Sequence, residues 1–343
     1  SGTPGSSIRL LLEESQVNHI GIDVDSQYLV CALQRDDQPL QEVTFTNDSA
    51  GHKKLIRWAT RRKQGAKICM EATGVYSLPA ALALSEVANI DVMVANPKAI
   101  KNFSVALLQR GKTDRLDART ILQFCQKMPF RTWQPPAEEV LELQYLSRRV
   151  RQLTTERTRE TNRLKAARRL GTITRLVVND IEVNIRHIEG RIKRARQLML
   201  KLVRSSADLS PLYDLLISVV GISTKSALGI LAELAVLPSD MTGRQWVAHA
   251  GLDPRPYESG TSINKPRRIT KNGNSHLRHA LFYPGMVAVN HDPNVNAFYE
   301  KLIAAGKKPL QAYAAVMRKL LLAIWGIFKS QQPWDGQKFY QMT

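Results

Sequence analysis

Between residues 137 and 210 the chain has no proline and only two glycines, Gly171 and Gly190. That composition leaves a long α-helix as the backbone state with the least against it. Apolar residues recur at Leu143, Leu146, Val150 and Leu153, then at Leu164 and Ala167, with Arg157 and Glu160 at the two intervening seam positions. After a break near Gly171 the pattern resumes at Val178, Ile181, Ile185, Ile188, Ile192, Ala195, Met199 and Leu202. Steps of three and four define heptads, so two long helices are expected, as an antiparallel hairpin or an intermolecular coiled coil. Charge enters here. From Arg148 to Arg204 there are 17 Lys/Arg against 5 Asp/Glu, and the whole chain carries 49 against 30, a net +19. These residues hold most of the excess, which points to a polyanionic partner. A plain dimerisation stalk accounts for the heptads but not for the charge.

The segment divides the chain. Ahead of it, HIGIDVDSQYLVCAL reads as a strand, DDQP as a turn and LQEVTFT as a strand pairing back. SAGHKKLIRWATRR is expected helical, KICMEA a strand, SLPAALALSEVA a helix, and DVMVAN a strand followed by a helix from Pro97. This order predicts an α/β layer with a mixed sheet, closed by TWQPP. Behind it, DLLISVVGISTKSALGILAEL resembles a helix-hairpin-helix motif, with Gly221 at the turn where a backbone can approach a phosphate. A Gly/Pro-rich loop follows, with the basic stretch KPRRITKNGN, and then a helical tail from about 276 to 329. Lys265, Arg267, Arg268 and Lys271 read as phosphate contacts. The domains expected are therefore 8–136, 137–210 and 211–343; residues 1–7, SGTPGSS, lack an initiating Met and read as a cloning remnant. Cys31, Cys69 and Cys125 have no C-x-x-C spacing and read as buried thiols. The longest unbroken apolar run, LLLAIWGIF, is half a membrane span and there is no signal-peptide pattern, so a soluble cytoplasmic protein with no membrane partner is expected. His276 and His279 have H-x-x-H spacing without an evident third zinc ligand. Trp246, Trp325 and Trp334 read as packing anchors.

The acidic residues of the first part are its chemistry. KTDRLDAR sets Asp114 and Asp117 at i and i+3, on one helix face. Asp23 sits in the first strand and Glu71 ends KICME, so both can project from neighbouring strand ends. Four carboxylates converging beside a sheet repel one another unless a divalent cation sits among them. One or two Mg²⁺ ions with phosphate oxygens suit that donor set. Asp25, on the same strand face as Asp23, is a lesser candidate ligand. The alternative for KTDRLDAR is a helix cap at Asp114 and pairing of Asp117 with neighbouring arginines.

GIDVDSQ, MEATGVY, KTDRLDA and GLDPRPYESGTS…ITKNGN..LR, in this order, resemble the DEDD transposases of the insertion-sequence one-ten family, also described as bridge-RNA-guided recombinases. The resemblance spans essentially the whole chain after residue 7. It implies an RNase H-like, RuvC-type N-terminal domain with a DEDD tetrad at Asp23, Glu71, Asp114 and Asp117, a coiled-coil spacer, and a mostly α C-terminal transposase domain. In that last domain a nucleophilic serine maps onto Ser259, with Ser262 close by. It also implies dimers assembling to tetramers, binding of a structured noncoding guide RNA, and joining of double-stranded donor and target DNA through a phosphoserine intermediate. Arg163, Arg168 and Arg169 of the basic helices are the expected RNA contacts. The runner-up is a metal-dependent RuvC-like nuclease or junction resolvase that uses water. A sugar-kinase or actin-like ATPase shares the opening GIDV strand but needs a further glycine-rich phosphate loop. A non-catalytic RNA scaffold leaves the four acids unexplained.

Overall fold

The computed structural model describes residues 17–35, 38–61, 65–108, 111, 113–171, 175–255, 258–259, 263–264 and 268–341, with the backbone alone at 258, 259, 263 and 264. The chain forms two compact units that divide between Pro135 and Pro136.

Among the described residues the first unit holds five strands, β1 Asn18–Val24, β2 Tyr28–Gln34, β3 Gln41–Thr46, β4 Ala66–Glu71 and β5 Ile90–Ala95, in the order β3-β2-β1-β4-β5. β1, β2 and β3 form an antiparallel meander, while β4 and β5 run parallel to β1. Four helices accompany them: α1 Ser49–Ala59, α2 Leu78–Ser85, α3 Pro97–Ala106 and α4 Asp114–Lys127. The stretch expected as a single strand from His19 to Leu33 is broken at residues 25–27. There the Asp25 carboxylate accepts hydrogen bonds from Gln27 N (3.0 Å) and Ser26 Oγ (3.1 Å), and Asp25 N donates to Tyr28 O (2.9 Å). Asp23–Ser26 offers no apolar residue except Val24, and Asp and Ser favour such local turn bonds over a ladder.

Strand alternation divides the two faces. Ile20, Ile22, Leu29, Cys31, Leu33, Ile68 and Met70 are fully buried with Leu55, Ala80 and Leu84 of α1 and α2. Cys69 packs with Ile121 and Cys125 of α4, and Ala32 with Ala118 and Leu122 of the same helix. The three cysteines are free and buried.

In the second unit, α5 Glu138–Arg168 and α6 Arg175–Ser205 form an antiparallel hairpin: Leu153 packs with Ile188 and Ile192, and Arg168 Nη2 meets Glu182 Oε1 at 2.7 Å nearer the tip. Arg157, expected in the seam, lies 3.8 Å from Glu189 across the hairpin. At the base Val140, Leu143, Met199 and Val203 enter the main core of the unit, so the hairpin is rooted in the helices that follow. Those are α7 Leu209–Ser218, α8 Thr224–Leu234, α9 Gly243–Ala250, α10 Ser275–His291, α11 Pro293–Ala304, α12 Pro309–Ser330 and the short α13 Gly336–Phe339. α12 is long and apolar enough to cross a membrane by length and composition alone, but Val316, Leu320, Leu321 and Ile324 are fully buried in this core. Between α9 and α10 lie four two-residue strands, β6 Pro254–Arg255, β7 Glu258–Ser259, β8 Ile263–Asn264 and β9 Arg268–Ile269; β6 pairs with β9 and β7 with β8, both antiparallel.

Candidate active site

The acidic cluster is assembled by one missing side chain. Gly21 lies on the β1 face that carries α4, and a Cβ there would stand 2.1 Å from Leu122 N and 2.4 Å from Ala118 O. The helix backbone therefore rests directly on the strand. Two residues on, Asp23 projects from the same face by strand alternation. Parallel register pairs Gly21 with Cys69 and Ile22 with Met70, which brings Glu71 beside Asp23 at the ends of β1 and β4. Thr113 caps α4, accepting from Leu116 N at 3.2 Å, and Asp114 and Asp117 occupy its first turn. Thr113, not Asp114, is thus the cap.

The four groups sense one another. Burial first, then the charges of Asp117, Asp114 and Glu71, push the Asp23 carboxyl up from 3.8 to about 6. Among the described residues no three His, Cys, Asp or Glu groups are drawn close enough to hold an ion between them. The cluster is open, coupled through space. Its donors are all hard carboxylate oxygens, the type a divalent cation such as Mg²⁺ takes, and a carboxyl destabilised by its neighbours' charge is one a cation would relieve. The donor type suits such an ion, which would need the carboxylates drawn closer together than they stand here.

Asp25 does not join them: its side chain is exposed, and the backbone N–H of Gln27, with Ser26, holds its carboxyl below the usual range. Asn47 was not evident from the sequence, where TND reads only as a turn. Its Nδ2 donates to Asp25 O (2.9 Å) and Tyr76 O (3.0 Å), tying the turn after Asp23 to the loop after Glu71, and His52 Nε2 lies 2.9 Å from its Oδ1. Arg119 of α4 pairs with Glu42 of β3 on the same side.

In the second unit, Ser259 lies on β7 with its backbone opposite Ile263. Arg268 and Lys271 are exposed beside this loop, while Ser262, Lys265 and Arg267 fall outside the described residues. Arg163 pairs with Glu160 (2.5 Å) and Arg168 with Glu182 on the hairpin surface, and Arg169 is the C-cap of α5. Gly221 lies at the turn between α7 and α8. It has φ of +92°, and a Cβ there would lie 2.6 Å from Pro284 O and 2.8 Å from Ala288 N. Close packing on α10 requires a glycine here. Trp325 Nε1 donates to Met241 O and Trp334 Nε1 to Asp292 Oδ2, both at 2.9 Å, as packing anchors do.

A mixed sheet with an acidic cluster at its strand ends, followed by a helical unit carrying a small stranded loop, defines a two-part DNA-recombining enzyme once its relatives are considered. Residues 20–169 match a transposase family model of the DEDD, IS110 type, and residues 213–300 match the transposase IS116/IS110/IS902 family. The pilin gene-inverting proteins of Moraxella bovis and Moraxella lacunata are each 28% identical over 327 residues, covering 92% of this chain and 97% of their own. An uncharacterised 43.6 kDa protein of insertion element IS110 from Streptomyces coelicolor is 26% identical over 127 residues, 37% of this chain and 31% of its own. The chain belongs to the IS110 family of DEDD transposases, enzymes of DNA recombination and transposition.

Proposed function

We propose that this transposase cleaves and rejoins strands of donor and target DNA through a covalent phosphoserine intermediate at Ser259, with Asp23, Glu71, Asp114 and Asp117 forming an RNase H-like, RuvC-type metal centre. The observation that carries the reading is geometric: β1–β4 register sets Asp23 and Glu71 at neighbouring strand ends, and α4, seated on Gly21, carries Asp114 and Asp117 in its first turn. Burial, then the charges of those three neighbours, raises the Asp23 carboxyl. The strand order β3-β2-β1-β4-β5 supports the RuvC-type assignment. Bound there, Mg²⁺ would neutralise the cluster and polarise a phosphoryl oxygen. Asp23 and Glu71 offer donors from adjacent strand ends, and α4, seated on Gly21, brings Asp114 and Asp117 to them.

In the covalent step Ser259 Oγ forms a bond to phosphorus as one P–O bond of the strand breaks, and the hydroxyl proton passes to the departing deoxyribose oxygen. The number of phosphate ester bonds is unchanged, so a new strand end can reverse the step without an external energy source. The pilin gene-inverting relatives, by their name, rearrange DNA, which favours such an exchange over simple cutting. A structured guide RNA lies along the hairpin, whose charge excess supports a polyanion, and Arg163, Arg168, Arg169, Arg268 and Lys271 contact phosphates. Exposed Leu170, Leu176, Val177 and Val183 on the hairpin support association of copies into dimers and tetramers in the cytosol. Asp117→Ala should abolish DNA cleavage in Mg²⁺ while RNA binding persists. Wild-type cleavage by that variant would remove the metal-centre assignment.

A further inference from the structure

A second site stands apart from this chemistry. Where the base of the hairpin meets α8 and α10, a cavity of about 560 Å³ is lined by Arg151, Arg157, Arg196, Lys225, His276 and His279. It lies wholly in the second unit, so nothing about it depends on the acidic cluster or on Ser259. A neighbouring cavity of about 510 Å³ shares Arg157, Arg196 and Lys225 with it, which places these three cations on a common wall.

The cations lack counter-charges. Among the described residues Arg157 has one carboxylate within ion-pair range, Glu189 at 3.8 Å, and Arg151, Arg196 and Lys225 have none. The one carboxylate lining the first cavity, Glu233, is already committed to Arg148, Gln144 and Asn274. Arg151 Nη1 and His276 Nδ1 are buried without any hydrogen-bond partner, an arrangement that is costly unless a ligand supplies one. Burial and then Arg157 hold Arg196 below the usual guanidinium range. Burial, countered by Glu233 and reinforced by Arg148 and Arg151, lowers His276, and burial with Arg151 lowers His279. In each case burial is the largest cause and neighbouring positive charge adds to it.

The remaining lining residues give the ligand its shape. Ser226, at the start of α8, adds a hydroxyl, and Tyr283 stands at the wall with 64% of its surface exposed, braced edge-on by Phe282 at 5.5 Å. An oxyanion fits the cations, and a flat ring fits the tyrosine face. The volume is that of a small-molecule site, which admits one nucleotide and not a duplex.

We infer that this cavity binds a single unpaired nucleotide, its phosphate on Arg151, Arg196 and Lys225 and its base against Tyr283. The nucleotide comes either from a single strand or from free solution; the chemistry is shared.

The test uses the full chain labelled with ¹³C at its seven histidines, titrated with thymidine, thymidine 5′-monophosphate, inorganic phosphate and single-stranded d(T)₄. The groups facing His276 and His279, besides each other, are Arg148, Arg151, Arg157, Arg196, Lys225, Glu233 and Tyr283. A bound phosphate should therefore raise the apparent pKa of both imidazoles, by about one unit. Thymidine should do nothing. The double variant Arg196→Gln/Lys225→Gln should need at least tenfold more ligand with an unchanged melting temperature, and Tyr283→Ala should weaken the nucleotide but not inorganic phosphate. A response to d(T)₄ at lower concentration than to the monophosphate marks a strand as the source; the reverse order marks a free nucleotide. Fixed His276 and His279 resonances under saturating nucleotide would overturn the inference, as would a double variant that titrates like wild type or an indifference to Tyr283.

Discussion

Gly21 is the residue on which the acidic cluster turns. No side chain is accommodated between β1 and α4, so Gly21→Ala must push the helix away and carry Asp114 and Asp117 with it. Urea unfolding should register a loss of about 3 kcal/mol, the upper end for overpacking, and DNA cleavage should fall with it. Asp23 and Asp25, two residues apart, make a matched pair: Asp23→Asn should abolish cleavage, whereas Asp25→Asn, at an exposed turn, should leave most of it. Equal losses would place Asp25 in the cluster after all. Asp23 also sets a pH dependence. Its folded pKa, about 6, stands above the ordinary 3.8, so the folded chain binds this proton more tightly than the unfolded one. The stability this contributes is complete below the ordinary value and is lost as pH rises through 6. A cation needs the ionised form, so the gain in melting temperature from Mg²⁺ should be small at about pH 5 and larger at about pH 7.5. An equal gain at both pH values, or one retained in Asp23→Asn, would contradict metal binding at this carboxylate.

At the scale of elements, Glu233 fastens α8 to its neighbours. It is 1% exposed, accepts two bonds of 3.0 Å from Arg148 on α5, and accepts one of 2.7 Å from Asn274, the cap of α10. Burial raises its carboxyl, but Arg148 and Asn274 outweigh that and hold it below its usual range. Arg148→Ala would leave a buried charge unpaired and should cost about 3–5 kcal/mol by denaturant titration; Glu233→Gln should cost less. Matching losses would mean that the guanidinium only packs. Glu233 had a signal in the sequence, a lone carboxylate in the apolar run ILAELAVL, but its partners lie 85 and 41 residues away and no local pattern joins them. The hairpin helices were legible because heptads are local. So were β4 and β5, short apolar runs bounded by polar turn residues, and β3, where Val43 and Phe45 alternate with polar residues. The break after Val24 was not, because Asp25 acts through bonds to its own turn, which composition alone does not distinguish from a polar residue in a strand. Nor was the convergence of Arg157, Arg196 and Lys225, which depends on how α6 packs on α8. Within the acidic cluster, residue types and spacing were enough to nominate all four members. Only the register of β1 with β4 and the seat at Gly21 explain why they come within electrostatic reach of Asp23.

Across the whole molecule the excess of cations, +19, is the property a partner senses first. Arg163 and Arg168 are held by surface carboxylates in pairs worth about 1 kcal/mol or less, which phosphates can displace. If the hairpin carries the proposed RNA, replacing Arg163, Arg168 and Arg169 by Gln together should weaken RNA binding and reduce the slope of log affinity against log salt by about two to three. An unchanged slope would put the RNA on another surface. Strand exchange itself is tested most directly by trapping cleaved DNA on the full chain in Mg²⁺, denaturing it, and mapping any cross-linked peptide by mass spectrometry. A phosphodiester adduct on Ser259, absent in Ser259→Ala and in Asp117→Ala, is the predicted result. Efficient cleavage with no adduct at any residue would contradict it and make water the nucleophile; an adduct on Ser262 would move the nucleophile three residues along the loop.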